Sequence, residues 1–185
     1  SDVGDIGAGA RSDIDLDARA VANTYGLAGA PAGNAYAKYT GNNRAVVAEG
    51  ARLTADDGEI ALGAGQDSAG VSTEIDARST VNLWNKTAIP IATIPNAQSG
   101  VVSNASLIIQ SSAVVEAAGD VALSADKGNI DTAASGIGKD IYREEAAKLV
   151  SGISNLFGGG DVSFDIRGGS SSTQGMANVQ VDGAV

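Results

Sequence analysis

A short phrase returns along this chain with variations: a turn residue, then an acid or asparagine, then a branched apolar residue, then alternation. It reads Ser12-Asp13-Ile14-Asp15-Leu16-Asp17-Ala18, then Gly58-Glu59-Ile60-Ala61-Leu62-Gly63-Ala64, then Gly119-Asp120-Val121-Ala122-Leu123-Ser124-Ala125. Weaker copies stand at Gly128-Asn129-Ile130-Asp131 and Gly160-Asp161-Val162-Ser163-Phe164-Asp165-Ile166. A longer match joins Leu53-Thr54-Ala55-Asp56-Asp57-Gly58-Glu59-Ile60 to Leu123-Ser124-Ala125-Asp126-Lys127-Gly128-Asn129-Ile130. Repetition at the scale of one strand and one turn is the mark of a solenoid.

Each phrase has a simple physical reading. The two-residue strand period sends Ile14 and Leu16 to one face and Asp13, Asp15 and Asp17 to the other. Ala55-Asp56-Asp57-Gly58 and Ala125-Asp126-Lys127-Gly128 are turn sequences, with glycine free to take positive φ and aspartate able to bond its own backbone. Strands of about five residues, punctuated by polar corners, are therefore expected. Stacked as parallel ladders about 4.8 Å apart, they would enclose a narrow interior. The acid or asparagine recurs at 13, 59, 120, 129 and 161, with gaps of 46, 61, 9 and 32, so the coils should be unequal. Further strands are expected at 44–48, 71–77 and 105–110, while Tyr25 to Asn43 reads as a loop or a weakly patterned strand pair. The prolines of Ile89-Pro90-Ile91-Ala92-Thr93-Ile94-Pro95 cannot donate ladder bonds, which puts that extended arm at an edge or outside the stack.

Composition decides between a globule and a stack. The 185 residues include 33 alanines and 25 glycines, but Phe, Trp and Tyr together supply only seven. A compact globule needs bulky anchors to offset chain entropy, whereas small residues suit a thin interior. With no Cys and no His, zinc fingers, thiol nucleophiles, Ser-His-Asp triads and disulfides are excluded. A formal net charge of −10 repels phosphate backbones and anionic lipid. The basic residues are scattered and lack aromatic interleaving, so no nucleic-acid partner is expected. No stretch approaches the roughly 20 apolar residues of a membrane helix, so no membrane insertion is expected either. The missing cysteine fits a surface or secreted bacterial protein. Ser1-Asp2-Val3-Gly4 does not read as a signal peptide, and Val179 to Val185 still alternates like a strand, so a segment of something longer is expected.

One stretch breaks the strand pattern. From Asp140, a helical stripe joins Ala146, Leu149, Val150, Ile153, Leu156 and Phe157. Asp140 can cap the N-terminus, Glu144 and Glu145 suit the first turn, and Gly158 suits the stop. A helix over 140–157 is predicted, its apolar face laid on the flank of the β-stack or against a neighbouring molecule.

The candidate sites are few. Asp13, Asp15 and Asp17 could serve acid-base or calcium chemistry, yet a solvated strand exterior gives the same alternation. Asp56, Asp57, Asp126 and Asp131 could hold calcium at stacked corners, but the glycine-rich calcium nonapeptide is missing. Ala133-Ala134-Ser135-Gly136-Ile137-Gly138-Lys139-Asp140 is a failed phosphate loop: its first glycine is alanine, and Asp140 stands where a hydroxyl is required. Trp84, beside Asn85 and Lys86, is expected to pack under the proline arm; exposed, it would suggest a sugar or protein contact. No catalytic, cofactor-binding or metal-binding residue is therefore assigned.

The strand-turn phrases, the stretch from Tyr142 to Val162 and the segment Trp84-Asn85-Lys86-Thr87-Ala88-Ile89-Pro90-Ile91 resemble the long repeats of large bacterial filamentous adhesins. The likeness is to the filamentous-haemagglutinin type, in particular the leukotoxin-like group, and runs through nearly the whole chain. It implies a right-handed parallel β-helix, export to the cell surface or medium, and service as an extended stalk or adhesive fibre, with no catalytic residues to transfer. The helix at 140–157 departs from a plain coil.

The expectation is thus an all-β chain, residues 1–185 forming a single β-solenoid segment of a longer repeat protein with one helical insertion at 140–157. Its partners would be neighbouring repeats or other copies of itself, or a host, cell-surface or polysaccharide ligand. A non-catalytic adhesive segment leads. A self-assembling filament or sheath subunit and a polysaccharide-binding or polysaccharide-cleaving β-helix are the alternatives.

Overall fold

The computed structural model describes residues 4–140 and 166–185. Among these residues the chain is all-β, built of parallel strands in stacked sheets, an architecture compatible with a parallel β-helix. The first passage of the chain through the sheets, called a circuit below, runs β1 (Ile6–Ala10), β2 (Asp13–Gly29), β3 (Ala32–Val47) and β4 (Arg52–Ala55). The second runs β5 (Ile60–Ala64), β6 (Glu74–Pro90), β7 (Ile94–Ile109) and β8 (Val114–Ala117). The third contributes β9 (Val121–Ala125), β10 (Asn129–Asp140), β11 (Ile166–Arg167) and β12 (Ser170–Val181). Four sheets result: sheet A from β1-β5-β9, sheet B from β2-β6-β10 with β11 antiparallel on β10, sheet C from β3-β7-β12, and sheet D from β4-β8.

The stacking step is 61 or 62 residues for the pairs that follow, 54 for Ile6 on Ile60, 55 for Glu74 on Asn129 and 72 for Gln98 on Ser170. Asp13 pairs with Glu74, Ile60 with Val121, Ala32 with Ile94, and Arg52 with Val114. The acids at 59 and 120 are therefore one full circuit apart, whereas those at 13 and 59, or at 120 and 129, belong to different sheets. The longer match of Leu53 to Leu123 is not a stacking relation either, because Leu53 lies beside Val115. In sheet B the stacked phrase is Asp13-Ile14-Asp15-Leu16 on Glu74-Ile75-Asp76-Ala77 on Asn129-Ile130-Asp131-Thr132.

The expected short strands occur in sheets A and D, but β2, β3, β6 and β7 run 16 or 17 residues. Residues 25–43, read as a loop or weak strand pair, are the end of β2 and most of β3. Their signal is faint because the inward side chains include Ala35, Ala37 and Asn43, too small or too polar to register as an apolar stripe. No helix occurs among the described residues. The predicted helix lies outside them except for Asp140, which ends β10 as a buried strand residue.

Inward rows are matched in volume from rung to rung. Ala22–Leu83–Gly138 and Ala20–Val81–Gly136 place bulk in the middle circuit and small residues on either side. Leu83 and Val81 are fully buried and pack with Ala35 and Ala97 of sheet C. Gly33 admits Leu83: a Cβ there would stand 2.8 Å from its Cδ2. A second cluster holds Ile14, Ile75 and Ile130 against Ala37 and Val101, and the largest fills the space between sheets A, C and D around Ile60, Leu62, Leu107, Ile109 and Val115.

Circuit length varies at the corner between sheets A and B. Two residues link β1 to β2, nine link β5 to β6 and three link β9 to β10. The long link lies against the outer face of sheet A. Gln66 bridges Ala10 and Ser72, Asp67 accepts from the N–H groups of Ala69 and Val71, and Arg11 donates to the Ser72 carbonyl while pairing with Asp13. Glycines clear its path: a Cβ on Gly9 would lie 2.4 Å from the Gln66 carbonyl oxygen, and one on Gly63 2.6 Å from Gln66 Cγ.

Two outcomes follow from this packing. Gly9→Val should displace the link and destabilise the fold by about 1–3 kcal/mol, as overpacking typically does. Gly4→Ala, with nothing within 4 Å of the new methyl, should be neutral in the same urea titration. Ser79, buried in the rung Ala18–Ser79–Ala134, has no hydrogen-bond partner for its hydroxyl among the described residues. Ser79→Ala should therefore leave stability unchanged or raise it by up to about 1 kcal/mol, and a clear loss would show that the hydroxyl is satisfied in solution.

Candidate functional site

Strand parity builds the outer face of sheet B. Ile75, Ala77, Ser79, Val81, Leu83 and Asn85 point inward, so Glu74, Asp76, Arg78, Thr80, Asn82, Trp84 and Lys86 point out. Register then sets neighbours beside each. The first rows are Asp13–Glu74–Asn129, Asp15–Asp76–Asp131 and Asp17–Arg78–Ala133; further along come Val21–Asn82–Ile137, Asn23–Trp84–Lys139 and Tyr25–Lys86. One end of the face is acidic, and the other is aromatic and cationic.

Asp13, Asp15 and Asp17 do share the face expected of them. Successive outward residues on a strand stand about 6.6 Å apart and point in parallel, so the three carboxylates do not converge on one ion or one reacting atom. Among the described residues no group of three such side chains is arranged to hold a metal ion. Arg78 answers part of the charge, binding Asp76 through two nitrogens and reaching Asp131 at 3.7 Å. Asp131 is not at a corner, as expected, but on this face. Asp56 and Asp57 are at a bend, where Gly58 keeps an ordinary φ and is needed for another reason: a Cβ would meet the Gly4 carbonyl oxygen at 2.6 Å.

Asp126 does sit at a corner, and its work there is structural. It accepts from the Ser72 hydroxyl at 2.6 Å and from the Gly128 N–H at 3.0 Å, with Gly128 at φ +85. It ties the third circuit to the long link of the second. The Ser72 hydrogen bond first, and the Gly128 N–H next, hold its carboxyl below the usual carboxylate range, against a smaller opposing effect of burial. Residues 133–140, the failed phosphate loop, are not a loop at all but the body of β10.

Trp84 is the main correction. It does not pack under the proline arm; with Leu83 and Asn85 both facing in, parity turns the indole outward, 38% exposed. Lys86 Nζ stands 5.1 Å from the Trp84 ring centre and 5.1 Å from that of Tyr25, and Lys139 Nζ stands 5.4 Å from Trp84 on the neighbouring strand. The prolines end β6 and begin β7 at rows where neither β10 nor β12 pairs alongside, so their missing donors break no ladder bond there. Sequence reasoning set Lys86 beside Trp84 but missed Lys139, which meets the indole only through the register of β10 on β6, strands from different circuits.

A scan against protein-family models, a search of curated proteins and a search of solved structures each found no match.

The lowered Asp126 pKa predicts a pH signature. A group ionised more readily in the folded chain stabilises it above the unfolded pKa and loses that contribution as pH falls through the folded value. The parent chain should thus exceed Asp126→Asn in urea stability at pH 6, with the difference shrinking steadily below about pH 4. A constant difference across that range would show that the carboxylate charge is not what holds the corner.

Proposed function

We propose that this chain is a non-catalytic structural and adhesive repeat segment of a large extracellular surface protein, of the filamentous-haemagglutinin type that its phrases resemble, wound as a right-handed parallel β-helix. The observation that supports this reading best is the in-register stacking of successive rungs along sheets A, B and C. All four strands of the first circuit lie at sheet edges, with one side of each ladder unpaired among the described residues. Further repeats of the same chain are the partner that such edges suit best.

Magnitudes favour presenting surface over spanning distance. Each added rung raises a ladder by about 4.8 Å, while a 17-residue strand runs about 56 Å along the face. A circuit with strands this long therefore gives little length for its mass and much lateral face. A segment built this way displays broad sheet faces to the surroundings, and the proposed adhesive role rests on those faces.

The open edges also support a second reading, a filament or sheath subunit whose copies continue the ladders end to end. The purified chain is expected to sediment as a monomer and to release no reducing ends from polysaccharides. End-to-end fibres in negative-stain electron microscopy would move the assignment to the filament subunit. Release of reducing ends would sink the non-catalytic reading.

A further inference from the structure

We propose that the rows around Trp84 on the outer face of sheet B form a binding site for an acidic saccharide, a short run of sugars carrying uronic carboxylates. The indole of Trp84 and the ring of Tyr25, 38% and 66% exposed, fill no part of the interior. The part of each ring left in water, beside the ammonium groups that stand over it, offers a stacking surface for the C–H face of a sugar ring. Lys86 lies between the two rings and donates to the Tyr25 hydroxyl at 3.3 Å, which holds both aromatics in place before any ligand arrives.

Charge selects the acidic sugar. In a chain of net charge −10, Lys86 and Lys139 converge on one indole, and among the described residues neither is in an ion pair. Their ammonium groups retain donors for a carboxylate, while the acidic rows at the other end of the face would repel the same ligand and confine it to this end.

The amides point the same way. On sheet C, Asn96 donates to Asn34 and to the Tyr36 hydroxyl, and Asn104 donates to Asn42, so outward amides there satisfy one another along the ladder. Asn23, beside Trp84, and Asn82, two residues before it, make no such bond among the described residues. They can donate to and accept from sugar hydroxyls, Asn23 from the neighbouring strand and Asn82 from the preceding outward position of β6. The rows Val21–Asn82–Ile137 and Asn23–Trp84–Lys139, with the pair Tyr25–Lys86, give a platform about 10 Å by 13 Å, suited to a chain of rings lying along the face.

The chain's single tryptophan makes the test direct. Trp84 fluorescence is titrated with a linear oligogalacturonate, with maltohexaose as the neutral comparison and oligoglutamate as the acidic peptide. The expected result is a saturable change with oligogalacturonate and binding at least about tenfold weaker for the other two. Lys86→Gln combined with Lys139→Gln should weaken the uronate by about tenfold or more, with an unchanged circular dichroism spectrum and urea midpoint. No saturable change, equal affinity for oligoglutamate, or an unaffected lysine variant would each overturn the assignment. The site rests on the surface-segment reading only for where such a sugar is met. A monomeric, non-cleaving chain that ignores oligogalacturonate would overturn the site alone, and fibre formation would overturn the surface-segment reading alone.

Discussion

Parallel in-register pairing is the constraint on which everything else depends. Once Asp13 lies beside Glu74 and Glu74 beside Asn129, every residue of β2, β6 and β10 inherits a neighbour on each side and a fixed face. A one-residue slip would turn the inward row of Ile75, Ala77, Val81 and Leu83 to water and bury Asp76, Arg78 and Lys86. Hydrophobic burial therefore fixes register, and register brings Trp84, Lys139 and Asn23 together from three circuits. The outer face is a by-product of the inner one.

The inner row tolerates polar residues where geometry supplies partners. Asn43 donates to the Thr73 hydroxyl and accepts from Ser12, and Asn85 donates to the Gly29 carbonyl while its oxygen accepts from Thr87. Both networks join residues of consecutive circuits, so each contributes most when the stack is complete. Ser79 and Ser99 have no such partner among the described residues. Their rows instead call for small side chains, with Ala18 and Ala134 flanking Ser79 and Ala37 flanking Ser99. Alanine in place of either serine would meet the same volume requirement.

What the sequence discloses follows the same logic. Alternation and turn chemistry are local, so Asp13 to Ala18, Ile60 to Ala64 and the Asp126–Gly128 corner can be read residue by residue. Strand length is not local. Ala20, Ala22, Ala35 and Ala37 carry so little apolar signal that the long strands of sheets B and C resemble short ones followed by loops. The stacking step was present as Asp13-Ile14-Asp15, Glu74-Ile75-Asp76 and Asn129-Ile130-Asp131, 61 and then 55 residues apart, and a nine-residue link against one of three accounts for the difference. Trp84 could have been turned outward by parity alone, since Val81 and Leu83 before it and Asn85 after it follow the inward beat.

The two long faces treat their polar residues differently, and the difference bears on where recognition can occur. Amides stacked at one ladder position can bond to each other along the stack, as Asn34 and Asn96 do, and such bonds hold neighbouring rungs together without a ligand. A row that mixes residue types, as Asn23, Trp84 and Lys139 do, forgoes that mutual satisfaction. Lys139 still reaches the Trp84 ring across the ladder, but the Asn23 amide bonds to no neighbouring rung among the described residues. Repetition favours the first arrangement, because each added rung extends it. The second interrupts the repeat, and because the inward rows supply the burial that holds the stack, an interrupted outward row is free to be shaped by something other than stacking.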